Sequence, residues 1–275
     1  MFSDIQAIFF DLGDTLVRIK SEILQVICDA IGKARGNPLE VNEYMRVFQD
    51  EWNKRQKPLD KELIKGVVTH ADEVGYWKNF FHSLLITLEV SSYQERLAES
   101  LAKIYSHPGS FECFEDVHEV LAELKVKGLK LGVISNAFPS AEKIINQLEL
   151  KQYFDYILLS YDFKNKNIKP EPEIYQFAVD ALNVDVDKSI FVDDRWAFVK
   201  AARDLGMDSY LIERFSTPKR NFTTGSLVPR INNLFELRDK ILGENKRSEQ
   251  ILSPSENKKE RENVRSQRMP VWVSP

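Results

Sequence analysis

Apolar residues fall into two patterns along this chain. Short, strongly apolar runs occupy residues 5–10, 129–134, 156–159, 190–192 and 209–212. Runs of that length, bounded by Gly, Ser and Asp, predict strands buried on both faces. Between them, residues 117–127, 141–150, 173–182 and 195–205 carry apolar positions three and four apart, which predicts helices. Gly128 and Gly206 follow two of these helices, where a left-handed residue ends the last turn. Strands alternating with helices imply a parallel sheet covered on both faces, a doubly wound α/β domain.

Residues 18–107 break that alternation. No strand is predicted there, and residues 19–33, 39–52, 77–88 and 93–105 read as helices separated by breakers such as Asn37-Pro38 and Ser91-Ser92. The segment is a helical insertion placed directly after the first strand. Its Tyr76, Trp77, Phe80 and Phe81 are expected to form a small core of its own. A helical pattern at residues 231–242 closes the fold, and residues 244–275, polar and without periodicity, predict a disordered tail.

Composition narrows the function classes. A net charge of −4 provides no global basic field, so neither a nucleic-acid nor a membrane partner is expected. No apolar run reaches the ~18 residues of a membrane span. Asp4 and Asp11 flank the first apolar stretch, which lacks the basic start of a secretory signal. A cytoplasmic protein is the expectation. Cys28 and Cys113 cannot build a disulfide framework and read as core fillers.

Ligands of open parallel sheets bind beyond the carboxyl ends of the strands. Asp11, Gly13, Asp14 and Thr15 follow the first strand, Ser135 and Asn136 the second, and Asp193 and Asp194 the fourth; the loop after the third carries Lys169-Pro170. Singly, each has an ordinary explanation as a turn former, a helix cap or a solvated cation. Together on one edge they form a set of carboxylates with a lysine, and clustered carboxylates favour a hard cation such as Mg2+.

In that order the residues resemble a known family. Phe9-Phe10-Asp11-Leu12-Gly13-Asp14-Thr15-Leu16 is similar to the first signature of the haloacid dehalogenase-like hydrolases. Ile134-Ser135-Asn136 is similar to the second, Lys169-Pro170-Glu171-Pro172 to the third, and Phe191-Val192-Asp193-Asp194 to the fourth. The resemblance implies a Rossmann-like core (residues 1–17 and 108–243) and an α-helical cap (18–107) inserted between motifs one and two. It implies Asp11 as a nucleophile that forms an aspartyl-phosphate, with Ser135, Asn136 and Lys169 binding the phosphoryl group. Asp11, the Gly13 carbonyl, Asp193 and Asp194 would hold Mg2+. The implied substrate is a small phosphorylated metabolite.

Two positions depart from the family pattern. Where its phosphatases place an acid/base Asp two residues after the nucleophile, this chain has Gly13; His70, Asp72 and Asp14 are the substitutes within reach of the sequence. Phe198 stands where relatives carry an Asp or Asn, and it is expected to pack on its helix instead. Gly13 keeps two other readings open. One is a haloacid dehalogenase, whose halide leaving group needs no proton. The other is a non-catalytic binding module on the same fold.

Overall fold

The computed structural model describes residues 4–55, 66–67, 69–162, 168–214 and 228–243. The expected tail, residues 244–275, lies outside the described residues. The strands are β1 (Ala7–Phe10), β2 (Val17–Ile19), β3 (Phe111–Cys113), β4 (Lys130–Ser135), β5 (Tyr156–Leu159), β6 (Ser189–Asp193), β7 (Asp208–Ile212) and β8 (Arg230–Ile231). Six of them form a parallel sheet in the order β5-β4-β1-β6-β7-β8. The chain leaves central β1 toward β4 and β5, then crosses back to β6 on its other side. That reversal opens the crevice in which a doubly wound sheet binds ligands.

Period-two alternation along β1 sends its side chains to opposite faces. Ile8 and Phe10 join one buried cluster, packed under α5 (Val117–Val126), α6 (Ser140–Gln147) and α9 (Leu234–Leu242). Ala7 and Phe9 join another, under α7 (Pro172–Leu182) and α8 (Trp196–Leu205). Both faces are therefore covered, which is why the strands read as apolar runs. Gly206 ends α8 at φ 108°, a conformation that costs a glycine little.

The helical segment comprises α1 (Ser21–Arg35), α2 (Val41–Lys54), α3 (His70–Thr87) and α4 (Gln94–Tyr105). Its buried cluster includes Ile27, Ile31, Tyr44, Trp77, Phe80, Phe81, Leu84 and Leu101, so the four expected aromatics, Tyr76 among them, pack as a core. Cys28 lies in that cluster and Cys113 is half-buried at the sheet, and burial pushes both thiols up to about 11. Helix α3 begins seven residues earlier than the apolar pattern suggested. Thr69 and Asp72 cap it reciprocally, a polar start signal that hydrophobic spacing cannot show.

A short antiparallel pair was missed. β2 and β3 join the two chain crossings between the sheet and the helices, with Arg18 and Glu112 in register and bonded at 2.8 Å. Three residues per strand are too few to display an alternation. β8, two residues long, escaped for the same reason. Among the described residues no helix is long and apolar enough to cross a membrane.

Candidate active site

Register places the site. Phe10 pairs with Val133 on one side and Val192 on the other, so the residues that follow emerge together at the carboxyl edge. Asp11 and Asp193 lie side by side on adjacent strands, with Ser135 ending β4 on the other flank. The Asp11 amide donates to the Val192 carbonyl at 2.9 Å, extending the ladder one residue past β1.

Lys169 unites the set. Its Nζ donates to Asp11 Oδ1 and to Asp193 Oδ2, both at 2.6 Å, and Ser135 Oγ donates to the same Asp11 oxygen at 2.9 Å. Lys169 is 1% exposed, and no strand presents it. Asn136 holds it: the carboxamide accepts from the Lys169 amide at 2.8 Å and donates to its carbonyl at 2.9 Å. The ammonium also lies 5.4 Å above the Phe191 ring and 5.0 Å above that of Phe198. Phe198 therefore packs on its helix as expected and in addition walls the lysine pocket, a contact invisible in the sequence.

Burial alone would lower the Lys169 pKa; Asp11 and Asp193 outweigh it and hold the ammonium above its ordinary value. Asp193 is wholly buried. Its desolvation, opposed by Lys169 and reinforced by Asp11, raises it to about 6. Asp194 is driven well above the usual carboxylate range by burial first, then by Asp193, Asp14 and Asp11. Asp14 is exposed in the loop, and desolvation by the surrounding protein, together with the Asp11 charge, raises it to about 6. Carboxylates outnumber cations here.

Asp11, Asp193 and Asp194 each bring an oxygen within 4.8 Å of the others. An all-oxygen, net-negative donor set fits a hard divalent cation such as Mg2+. Asp193 has both oxygens engaged, Oδ2 by Lys169 and Oδ1 by the Arg195 amide at 2.8 Å. Asp194 is consequently the carboxylate of the three whose loss should matter most to a bound cation. Asp194→Ala is expected to weaken Mg2+ binding about tenfold or more while leaving the fold intact, because it also relieves repulsion. Titration calorimetry checks this, and unchanged affinity would remove Asp194 from the cation's shell. Gly13 stands exposed in the loop beyond Asp11, bridged to Val17.

The helical layer reaches the same edge. Glu73, 1% exposed in the first turn of α3, accepts from the Ser140 amide at 2.8 Å and from Ser140 Oγ at 2.5 Å. Beside it, Phe138 packs on Tyr76 and Trp77 at 4.8 and 5.3 Å between ring centroids. The loop that follows Ser135 is thus clasped by α3. Neither Glu73 nor Ser140 was singled out in the sequence, since their contact spans 67 residues. Of the other candidates, Asp72 caps its own helix through Thr69, and His70 Nδ1 stands 3.5 Å from Glu73. Glu73→Ala should cost about 1–3 kcal/mol by orphaning two buried donors, and Glu73→Gln less, because a carboxamide oxygen still accepts. Urea unfolding of the two variants checks the order.

A doubly wound sheet with a carboxylate, a hydroxyl and an ammonium converging at its central edge defines a hydrolase-like site. The family model of the haloacid dehalogenase-like hydrolases matches residues 5–206. The chain belongs to that family. It is 25% identical over 214 residues to the human haloacid dehalogenase-like hydrolase domain-containing protein 3, covering 76% of this chain and 82% of the relative. With glyceraldehyde 3-phosphate phosphatase of Pyrococcus furiosus it shares 32% identity over 212 residues, 74% of this chain and 78% of that one. The L-2-haloacid dehalogenase of Xanthobacter autotrophicus superposes with a TM-score of 0.60 at 20% identity, over 87% of this chain and 99% of the other.

Proposed function

We propose that the protein is a Mg2+-dependent phosphatase that acts on a small phosphorylated metabolite through an aspartyl-phosphate on Asp11, with the helical segment as a cap over the site. The observation that carries this reading is the convergence of Lys169 Nζ and Ser135 Oγ on Asp11 Oδ1, beside a three-carboxylate cluster. A carboxylate approaching a phosphoryl group meets like charge, and fixed donors at the developing negative charge contribute several kcal/mol to the transition state. Lys169 and Ser135 would turn to the phosphoryl oxygens, with Asn136 fixing the lysine backbone. A bound Mg2+, held by Asp11, Asp194, the Gly13 carbonyl and the neighbouring Asp193, would supply charge neutralisation.

Gly13 brings no acid for the departing oxygen and no base for water. Leaving groups of low pKa are therefore the substrates least impaired. The same residue favours a second reading, a dehalogenase in which Asp11 attacks carbon and expels halide. Against it stands the crowding of carboxylates around Asp11, which carbon–halogen displacement does not use. The experiment is a screen with and without Mg2+. Metal-dependent phosphate release from phosphorylated metabolites or aryl phosphates supports the phosphatase. Metal-free halide release from 2-haloacids overturns it, and silence in both arms from folded protein favours a binding module.

A further inference from the structure

We infer that Arg214, just beyond β7, is a positioning residue that holds the Asp11 loop in its working shape. The loop turns sharply after β1: the Asp14 amide donates to the Val17 carbonyl at 2.8 Å, and the Leu16 and Val17 amides both donate to the Leu12 carbonyl at 2.9 Å. Asp14 sits at φ 56°, in the left-handed region that few residues other than glycine, asparagine and aspartate enter. From outside the loop, Arg214 holds the next residue. Its Nε and Nη2 converge on the Thr15 carbonyl at 3.1 and 2.8 Å.

The guanidinium is itself fixed on every side. Nη1 donates to Asp116 Oδ2 at 2.6 Å, and both side chains are 4% exposed. The same Asp116 oxygen accepts from the Leu234 amide at 2.6 Å, at the start of α9. Arg214 stacks over the Phe114 ring at 4.3 Å, with Arg18 over that ring at 5.1 Å. Burying a charged pair costs desolvation and yields little net stability, so its use lies in geometry. Here a planar fork is directed at one carbonyl, four residues after Asp11 and 199 residues away in sequence from its donor. Lysine cannot reproduce that fork.

Its consequence for turnover rests on the phosphatase reading, and the test separates the two. Arg214→Lys keeps a cation beside Asp116 but loses the two-point hold on Thr15. In the full-length variant, hydrogen exchange at the Asp14, Leu16 and Val17 amides should accelerate about tenfold or more, while the amides of β4 and β6 keep their wild-type rates. With p-nitrophenyl phosphate and Mg2+, kcat should fall about tenfold or more at unchanged KM, as misplacement of a reacting group by a fraction of an ångström requires. Asp116→Asn, which loosens Arg214 without deleting it, should accelerate the same three amides by less, and it serves should Arg214→Lys not fold. Unchanged exchange in the loop, or acceleration shared equally with β4 and β6, would overturn the inference. If the wild-type protein releases no nitrophenol, the phosphatase reading falls, and the exchange pattern still decides the role of Arg214.

Discussion

Asp11→Asn will yield a folded protein whose turnover is below detection. The asparagine can turn its carbonyl oxygen to Lys169 and Ser135, the donors that now meet Asp11 Oδ1 at 2.6 and 2.9 Å. Its other atom is then an amide nitrogen, which neither attacks phosphorus nor ligates a cation as an anion would. Lys169 keeps Asp193 at 2.6 Å, so it does not become a buried charge without a partner. Two charge-assisted hydrogen bonds are weakened, each a loss of no more than about 1.5–3 kcal/mol. Relief of repulsion toward Asp193 and Asp194 offsets part of it. Phosphate release and thermal melting, measured on the same preparation, separate lost chemistry from lost fold. Activity near the wild-type level would place the nucleophile elsewhere.

What the sequence disclosed followed from length and regularity. β1, β4, β5, β6 and β7 are apolar because both faces of the sheet are covered, and their ends expose the polar residues that line the edge. Asp11, Ser135 and Asp193 could therefore be placed from strand ends alone. Lys169 could not, since it leaves a loop and reaches Asp11 across 158 positions; its place in the loop after the third strand and its resemblance to a family motif marked it. Phe198 was marked only as a departure from the family pattern, and Glu73 and Arg214 carried no local signal. Each matters through one distant partner: the Lys169 ammonium, the Ser140 amide and the Thr15 carbonyl. The β2–β3 pair stayed hidden because it is built from three-residue strands whose pairing is set where the chain leaves and rejoins the sheet.

Gly13 gathers the remaining tension in the site. The structure removes one obstacle to testing it: a Cβ built at Gly13 meets no atom within 4 Å, and its φ is not among the positive values that a side chain would strain. The glycine is therefore not required by the backbone. Its absent side chain is a chemical feature of this chain.

Gly13→Asp should consequently be accepted by the fold and place a carboxyl two residues after Asp11, in open space at the mouth of the site. If departure of the alkoxide limits phosphoryl transfer, kcat/KM for alkyl phosphates will rise, within the ~10² to 10⁴ that general acid catalysis contributes. The gain should fall short of the upper end, because no surrounding group has been arranged to orient the new carboxyl. For p-nitrophenyl phosphate the rise should be much smaller, since its leaving group hardly needs a proton. The ratio kcat/KM is the quantity to compare. It reports the steps up to loss of the first product, and so excludes the later attack of water, which the same carboxyl would also assist. The new charge stands near Asp11 and Asp14, so both proteins must be assayed saturated with Mg2+ and checked by melting. A dehalogenase would gain nothing from the substitution, because halide departs without a proton. Equal or reduced kcat/KM on both phosphates, from folded and Mg2+-loaded protein, would show that a missing acid is not what limits this site.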